Sequence, residues 1–242
     1  MTGGGRASAL AVAAGLVALL PAWQAGFVHD DGPQILANPW VRDLAHLSKL
    51  WTTSVWSGVG GDSSWYRPLM MTSFALDHAL FGFSAPAFHA VSLALFLAIV
   101  ALVVRAVLAF GGGAAAAGAA GVLVAVHPVN VESAVWISAR GDLIAACGGL
   151  AALLAHDRAR LAADARGERR WRSGVAMALA LALFGKENAA AVWPVLVASD
   201  LVRGERFAPS ALVRRHAGPA LALAVYLGLR AAAIGSVEGG LG

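Results

Sequence analysis

Several stretches of this chain approach the roughly 20 consecutive apolar residues that carry an α-helix across a bilayer. Residues 7–25 and 85–104 are the clearest. Residues 106–126, 143–155, 174–184, 189–199 and 217–229 are similar but interrupted by glycine or a polar residue. Hydrocarbon offers no partner for backbone N–H and C=O groups, so spanning segments of this kind fold as helices that satisfy themselves. The expected architecture is all-α: a polytopic membrane protein with about seven transmembrane helices in one membrane domain over 1–242. A composition 59% hydrophobic and 13% charged excludes an ordinary soluble domain.

The first span has the charged start of a signal peptide in Arg6. It runs nearly the length of a full span, however, and closes on Pro21-Ala22-Trp23-Gln24-Ala25, where Trp23 fits a small-residue cleavage site badly. Retention as an anchor is the reading adopted. Cys147 is the single cysteine, so no disulfide framework exists.

A net charge of +4 would suggest nucleic acid in a soluble protein, but the basic residues cluster between spans. Membrane topology is the better explanation, and no nucleic-acid partner is expected. Segment 156–173 carries Arg158, Arg160, Arg166, Arg169, Arg170 and Arg172; segment 201–215 carries Arg203, Arg206, Arg214 and Arg215. With Arg6 and Arg105 these make 12 of the 18 basic residues. Loops rich in Lys and Arg stay cytoplasmic. The N-terminus is therefore expected inside a plasma or inner membrane. Asp30, Asp31, Asp43, Asp62, Asp77, Glu132, Asp142, Glu187 and Glu238 are expected on the outer side.

The first outer loop, 27–86, is long for a structureless connection and is expected to have a function of its own. It holds Trp40, Trp51, Trp56 and Trp65, a residue type that favours the headgroup region. Segments 43–56 and 69–83 read as interfacial amphipathic helices, joined through a turn-forming stretch at 57–64.

Four polar clusters sit at the outer ends of spans. In Phe27-Val28-His29-Asp30-Asp31-Gly32, two carboxylates stand at a helix mouth, where charge usually faces water or a substrate. Asp31, just before Gly32-Pro33, is equally placed to cap a short helix toward Ala37. In Trp65-Tyr66-Arg67-Pro68-Leu69, Pro68 is suited to open a helix, and an interfacial anchor is the plainer reading. His127-Pro128-Val129-Asn130-Val131-Glu132-Ser133 is followed by Ser138-Ala139-Arg140-Gly141-Asp142, and Pro128 stops the preceding helix. Four ionisable groups there exceed what a connecting turn needs, beyond a local ion-pair network. In Gly185-Lys186-Glu187-Asn188 the pair either neutralises itself or meets a phosphate, for which a lysine point charge is suited. His29, His46, His78 and His89 have no metal-ligand spacing; a divalent ion is unsupported, and metal dependence stays open.

These clusters, in this order, resemble the membrane region of the transmembrane and tetratricopeptide-repeat O-mannosyltransferases, and more widely the GT-C membrane glycosyltransferases. The resemblance covers about 27–200. It implies transfer of a mannose-like sugar from a polyprenyl-phosphate donor in the bilayer to an extracytoplasmic protein or glycan acceptor. It also implies a first-loop acid as general base, a role that falls to Asp30 or Asp31. Arg67, Arg140 and Lys186 are then candidates to meet the departing lipid phosphate. His127, Glu132, Asp142 and Glu187 complete the expected donor-binding set. The chain ends at Gly239-Gly240-Leu241-Gly242 without a 34-residue helical repeat, so a truncated or minimal relative is expected. The competing reading is a non-catalytic scaffold or partner subunit that keeps the fold. A transporter ranks last, because the charges gather at the outer boundary rather than at the bilayer midplane.

Overall fold

A computed structural model describes residues 3–61, 63–205 and 208–235. Asp62, Arg206, Glu238 and the terminal Gly239-Gly240-Leu241-Gly242 lie outside the described residues. Within them the chain is all-helical, with elements α1 (Gly3–Leu19), α2 (Leu47–Thr52), α3 (Pro68–Phe81), α4 (Ala85–Ala109), α5 (Ala114–Val126), α6 (Val131–Val135), α7 (Arg140–Arg160), α8 (Ala165–Gly185), α9 (Val192–Val202) and α10 (Pro209–Ile234).

Proline and glycine set several of these boundaries. Pro68 and Pro209 occupy first helical positions, where the missing N–H has no intrahelical partner to lose. Pro128 follows α5 after His127, and the chain bends by 54° between Ala114–Val126 and Pro128–Val135. Gly111, at φ 88°, makes the left-handed turn that separates α4 from α5. The apolar run 106–126 is therefore divided, with α4 continuing to Ala109.

In the bundle α1 packs on α4 and α5, α4 packs on α7, and α8 lies between α7 and α10. Helices in lipid gain little from hydrophobicity and associate through close packing of small residues. The α7–α8 contact follows this rule. A Cβ at Gly141 would fall 2.8 Å from the Gly185 carbonyl oxygen, and one at Gly185 would fall 2.5 Å from Ile144 Cγ2. The two glycines bring the start of α7 against the end of α8.

Four helices are long and apolar enough to cross a membrane: Gly3–Gln24, Ala85–Ala109, Ile137–Arg160 and Pro209–Ile234. The bent pair α5–α6 makes a fifth if it is one span. The expected count of about seven is not reached on length and composition. The reason lies in α8, whose first turns carry the arginines, and in α9, only 11 residues long.

Segment 156–173 is mostly helical rather than an open loop. Arg158 and Arg160 end α7, where cations complement the helix dipole. Arg166 to Arg172 open α8, whose N-terminus is capped by Asp164 accepting from the Gly167 N–H at 2.6 Å. Arg203, past α9, donates to the Ala109 carbonyl at 2.7 Å and pairs with Asp157 at 2.9 Å. The arginine-rich segments thus share one end of the bundle with the start of α1 and the end of α4. The first loop and the turns at 127–139 and 186–191 form the opposite end.

The first loop has a core of its own. Ile35, Val41, Leu50, Val55, Met70, Met71 and Phe74 are buried together with Phe88 and Ile137. Trp40, Trp51, Trp56 and Trp65 pack partly buried against this core, so they do more than face headgroups. The expected helices at 43–56 and 69–83 take shorter or shifted forms as α2 and α3.

Candidate functional site

The Asp30-Asp31 pair divides into two environments. Asp31 is 0% exposed. Its Oδ1 accepts from the Ser138 backbone N–H at 2.8 Å and from the Ser138 hydroxyl at 2.6 Å. Its Oδ2 accepts from the Val28 N–H at 2.9 Å. A single helical turn, Gly32–Leu36, does follow, but Asp31 makes no capping hydrogen bond to it. The carboxylate reaches backward and across the fold instead. A buried charge held by three donors fixes the turn around it.

Asp30 is half-buried, and its carboxylate makes no hydrogen bond or ion pair with another described residue. The preceding residue, His29, has φ 47°, the one left-handed non-glycine backbone among the described residues. Such strain persists where surrounding contacts impose it, and it concentrates at functional sites. Here the contacts are those of Asp31, with the Asp31 N–H bonded to the Val28 carbonyl at 2.9 Å. The His29 ring meets the edge of Trp136, just past α6.

Arg140, two residues after Ser138, is 0% exposed. Its guanidinium donates to Ser92 Oγ, Ser73 Oγ and the Phe88 carbonyl at 3.1, 3.2 and 2.9 Å. It lies 2.6 Å from Asp77 Oδ2 and over the rings of Phe74 and Phe88. Burial pushes the Asp77 carboxyl above its ordinary range, although Arg140 draws it down. Arg140 therefore clamps α7 to α3 and α4. It is not open to a ligand, contrary to the expectation that it meets the donor.

Two further pairs follow along the same end. Lys186 Nζ lies 2.7 and 2.8 Å from the two oxygens of Asp142, a contact allowed by the close approach of Gly141 and Gly185. Arg67 grips Glu187 through two hydrogen bonds, Nε to Oε2 at 3.0 Å and Nη2 to Oε1 at 2.6 Å, and stacks over Trp65. Burial alone would raise the Glu187 carboxyl, but the Arg67 bonds and charge hold it below the usual glutamate range. Lys186 and Glu187 do not neutralise each other. Tyr66, next to Arg67 in the chain, is buried and donates to the Trp51 carbonyl at 2.8 Å. Burial, aided by Tyr226, pushes its phenol up to about 12.

His127 and Glu132 stay on the exposed turn. His127 accepts from the Val129 N–H at 3.2 Å, and no contact joins either residue to the other pairs. Near them opens a cleft of about 350 Å³, with Asn130, Ser133, Asp142 and Asn188 as polar lining and Phe96, Ile99, Leu143 and Val192 as apolar lining. Among the described residues no group of three or more His, Cys, Asp or Glu side chains is disposed to hold a metal ion.

The opposite end holds a cluster that sequence reasoning passed over. His156 Nε2 and His216 Nε2 lie 2.7 and 3.1 Å from the two oxygens of buried Asp200, tying α7, α9 and α10 together. The available signal was ionisable residues directly bordering the apolar runs 143–155, 189–199 and 217–229.

No family model and no solved structure matches the chain. Curated proteins do. Protein O-mannosyl-transferase Tmtc2 of Drosophila melanogaster is 35% identical over 190 residues, 74% of this chain and 20% of the relative. Protein O-mannosyl-transferase Tmtc1 of the same organism is 35% identical, covering 68% of this chain and 19% of its own length. Human protein O-mannosyl-transferase TMTC1 is 34% identical across 56% of this chain and 16% of its own. The chain therefore spans about a fifth of the length of these relatives. The resemblance read from the motifs is borne out by these alignments.

Proposed function

Taking this integral membrane chain as a relative of the TMTC protein O-mannosyl-transferases, we propose that it performs the membrane-embedded step of glycosyl transfer. The donor is a polyprenyl-phosphate-linked, mannose-like sugar, and the acceptor is an extracytoplasmic hydroxyl of a protein or glycan. Asp30 is the general base, removing the acceptor proton as the hydroxyl oxygen attacks the anomeric carbon and the lipid phosphate departs. Asp31 is a positioning residue. The observation that carries this reading is the contrast between the two carboxylates, one engaged by three donors and one unengaged beside a strained backbone.

The cleft lined by Asp142 and Asn188 suits the donor's sugar and phosphate, with its apolar wall toward the polyprenyl chain. Lys186 reaches the phosphate by exchanging Asp142 for it, and Arg67 by exchanging Glu187. The arginine-rich end faces the cytoplasm, and Asp30 faces outward. In this reading α8 and α9 cross the membrane with the other helices, giving the seven-span GT-C arrangement. Arg140 is reassigned from donor binding to holding the fold, and His127 and Glu132 are left to the rim.

One observation favours the second reading, a non-catalytic scaffold. Arg67, Arg140 and Lys186 each already have a carboxylate partner. Incubating membranes that contain the chain with a labelled polyprenyl-phosphate mannose separates the two. The enzyme reading expects label on an acceptor and saturable donor binding; the scaffold reading expects neither.

A further inference from the structure

At the end of the bundle opposite Asp30, a groove of about 670 Å³ runs between α4, α7 and α8. Its lining includes Arg105, Arg158 and Trp171 beside Leu102 and Leu154. Its one carboxylate, Asp157, is already bound by Arg160 at 3.1 Å and Arg203 at 2.9 Å. Arg105 and Arg158 are exposed and make no ion pair or hydrogen bond with another described residue. Some arginines near this end are engaged, Arg172 with Glu168, Arg203 with Asp157 and Arg215 with Glu205; others, Arg169 and Arg170 among them, make no ion pair with a described residue but lie outside this lining.

We propose that this groove binds one anionic phospholipid, its phosphate between Arg105 and Arg158 and an acyl chain along Leu102 and Leu154. Two unpaired guanidinium groups over an apolar floor match a phosphodiester that carries hydrocarbon below it. A zwitterionic lipid brings no net charge to that pair. Trp171 at the rim is the residue type that settles at headgroup depth. The site is independent of the transfer reaction and would serve a scaffold equally well.

The test is retention of lipid by the full chain in native mass spectrometry, comparing phosphatidylglycerol with phosphatidylcholine. A preference of roughly thirtyfold for phosphatidylglycerol is expected, since two arginines at about 1 kcal/mol each toward an anionic lipid give about 2 kcal/mol. Arg105→Gln with Arg158→Gln should bring the ratio near one. Ala151→Trp, which fills the groove without changing charge, should do the same. Arg169→Gln with Arg170→Gln removes the same charge from the start of α8 outside this lining and should leave the preference intact. A preference that survives both groove variants, or that the Arg169 and Arg170 changes abolish equally, overturns the site. Displacement by millimolar inorganic phosphate also overturns it, since the groove would then be a free-anion site.

Discussion

Asp31 and Ser138 stand 107 positions apart in sequence and are joined by two hydrogen bonds of 2.8 and 2.6 Å. The pair ties the strained turn at His29 to the turn that opens α7. Asp31→Asn places an amide where donors converge, and an unsatisfied buried group of this kind costs about 1–3 kcal/mol. A clear fall in melting temperature in detergent is expected. Asp30→Asn removes no hydrogen bond or ion pair with another described residue and should change stability by no more than about 0.5 kcal/mol. Equal loss in both variants would contradict the division of roles.

Arg140 is held by Asp77, Ser73, Ser92 and the Phe88 carbonyl. Removing one member of a buried charge pair is destabilising by about 3–5 kcal/mol. Arg140→Gln is therefore expected to unfold early, and Asp77→Asn likewise, because it leaves the buried guanidinium without its carboxylate. Thermal unfolding followed by circular dichroism checks this. An Arg140→Gln protein with unchanged stability and lost donor binding would return Arg140 to the ligand site.

Glu187 is held ionised by Arg67, with its acidity strengthened relative to the unfolded chain. A depressed carboxyl contributes stability above its unfolded value of about 4.3, and that contribution is lost as pH falls below it through the folded value. The melting temperature should therefore decline with acid below about pH 4.3. Glu187→Gln should be less stable near neutrality and should show a shallower acid decline. Parallel pH profiles for the two proteins would count against the clamp.

The contact between Gly141 and Gly185 sets the Asp142–Lys186 distance. Gly185→Ala forces a Cβ to within 2.5 Å of Ile144. Overpacking of this kind costs about 1–3 kcal/mol. Gly228→Ala, in α10 with nothing within 4 Å of the added Cβ, should be neutral or slightly stabilising. Melting curves of the two variants decide it; equal behaviour would mean that α7 and α8 have room to separate.

The helices were legible where apolar runs and prolines mark them. Runs 7–25, 85–104, 143–155 and 217–229 lie within or overlap α1, α4, α7 and α10, and Pro68 and Pro128 stand where helices start and stop. Partners were not legible. Arg67 and Glu187 are 120 residues apart, and Asp142 and Lys186 are 44 apart. Nothing in local periodicity encodes those pairings, which depend on how α3 and α7 each dock against the end of α8. Arg140 misled for the same reason. Its motif advertises a charge near a site, while burial is decided by Phe74, Phe88 and Asp77 on other helices. The His156–Asp200–His216 cluster was missed because the apolar run stops at 155 while α7 continues through Arg160.

In the proposed reaction Asp30 removes the acceptor proton. The most direct test of this step is the rate of mannose transfer from labelled polyprenyl-phosphate mannose by Asp30→Asn beside the unaltered chain, with donor binding measured in parallel. General-base catalysis contributes about 10²–10⁴-fold, so a loss of that size with donor binding and melting temperature preserved is predicted. A transfer rate in Asp30→Asn within about twofold of the unaltered chain, far short of that range, would mean that Asp30 is not the base.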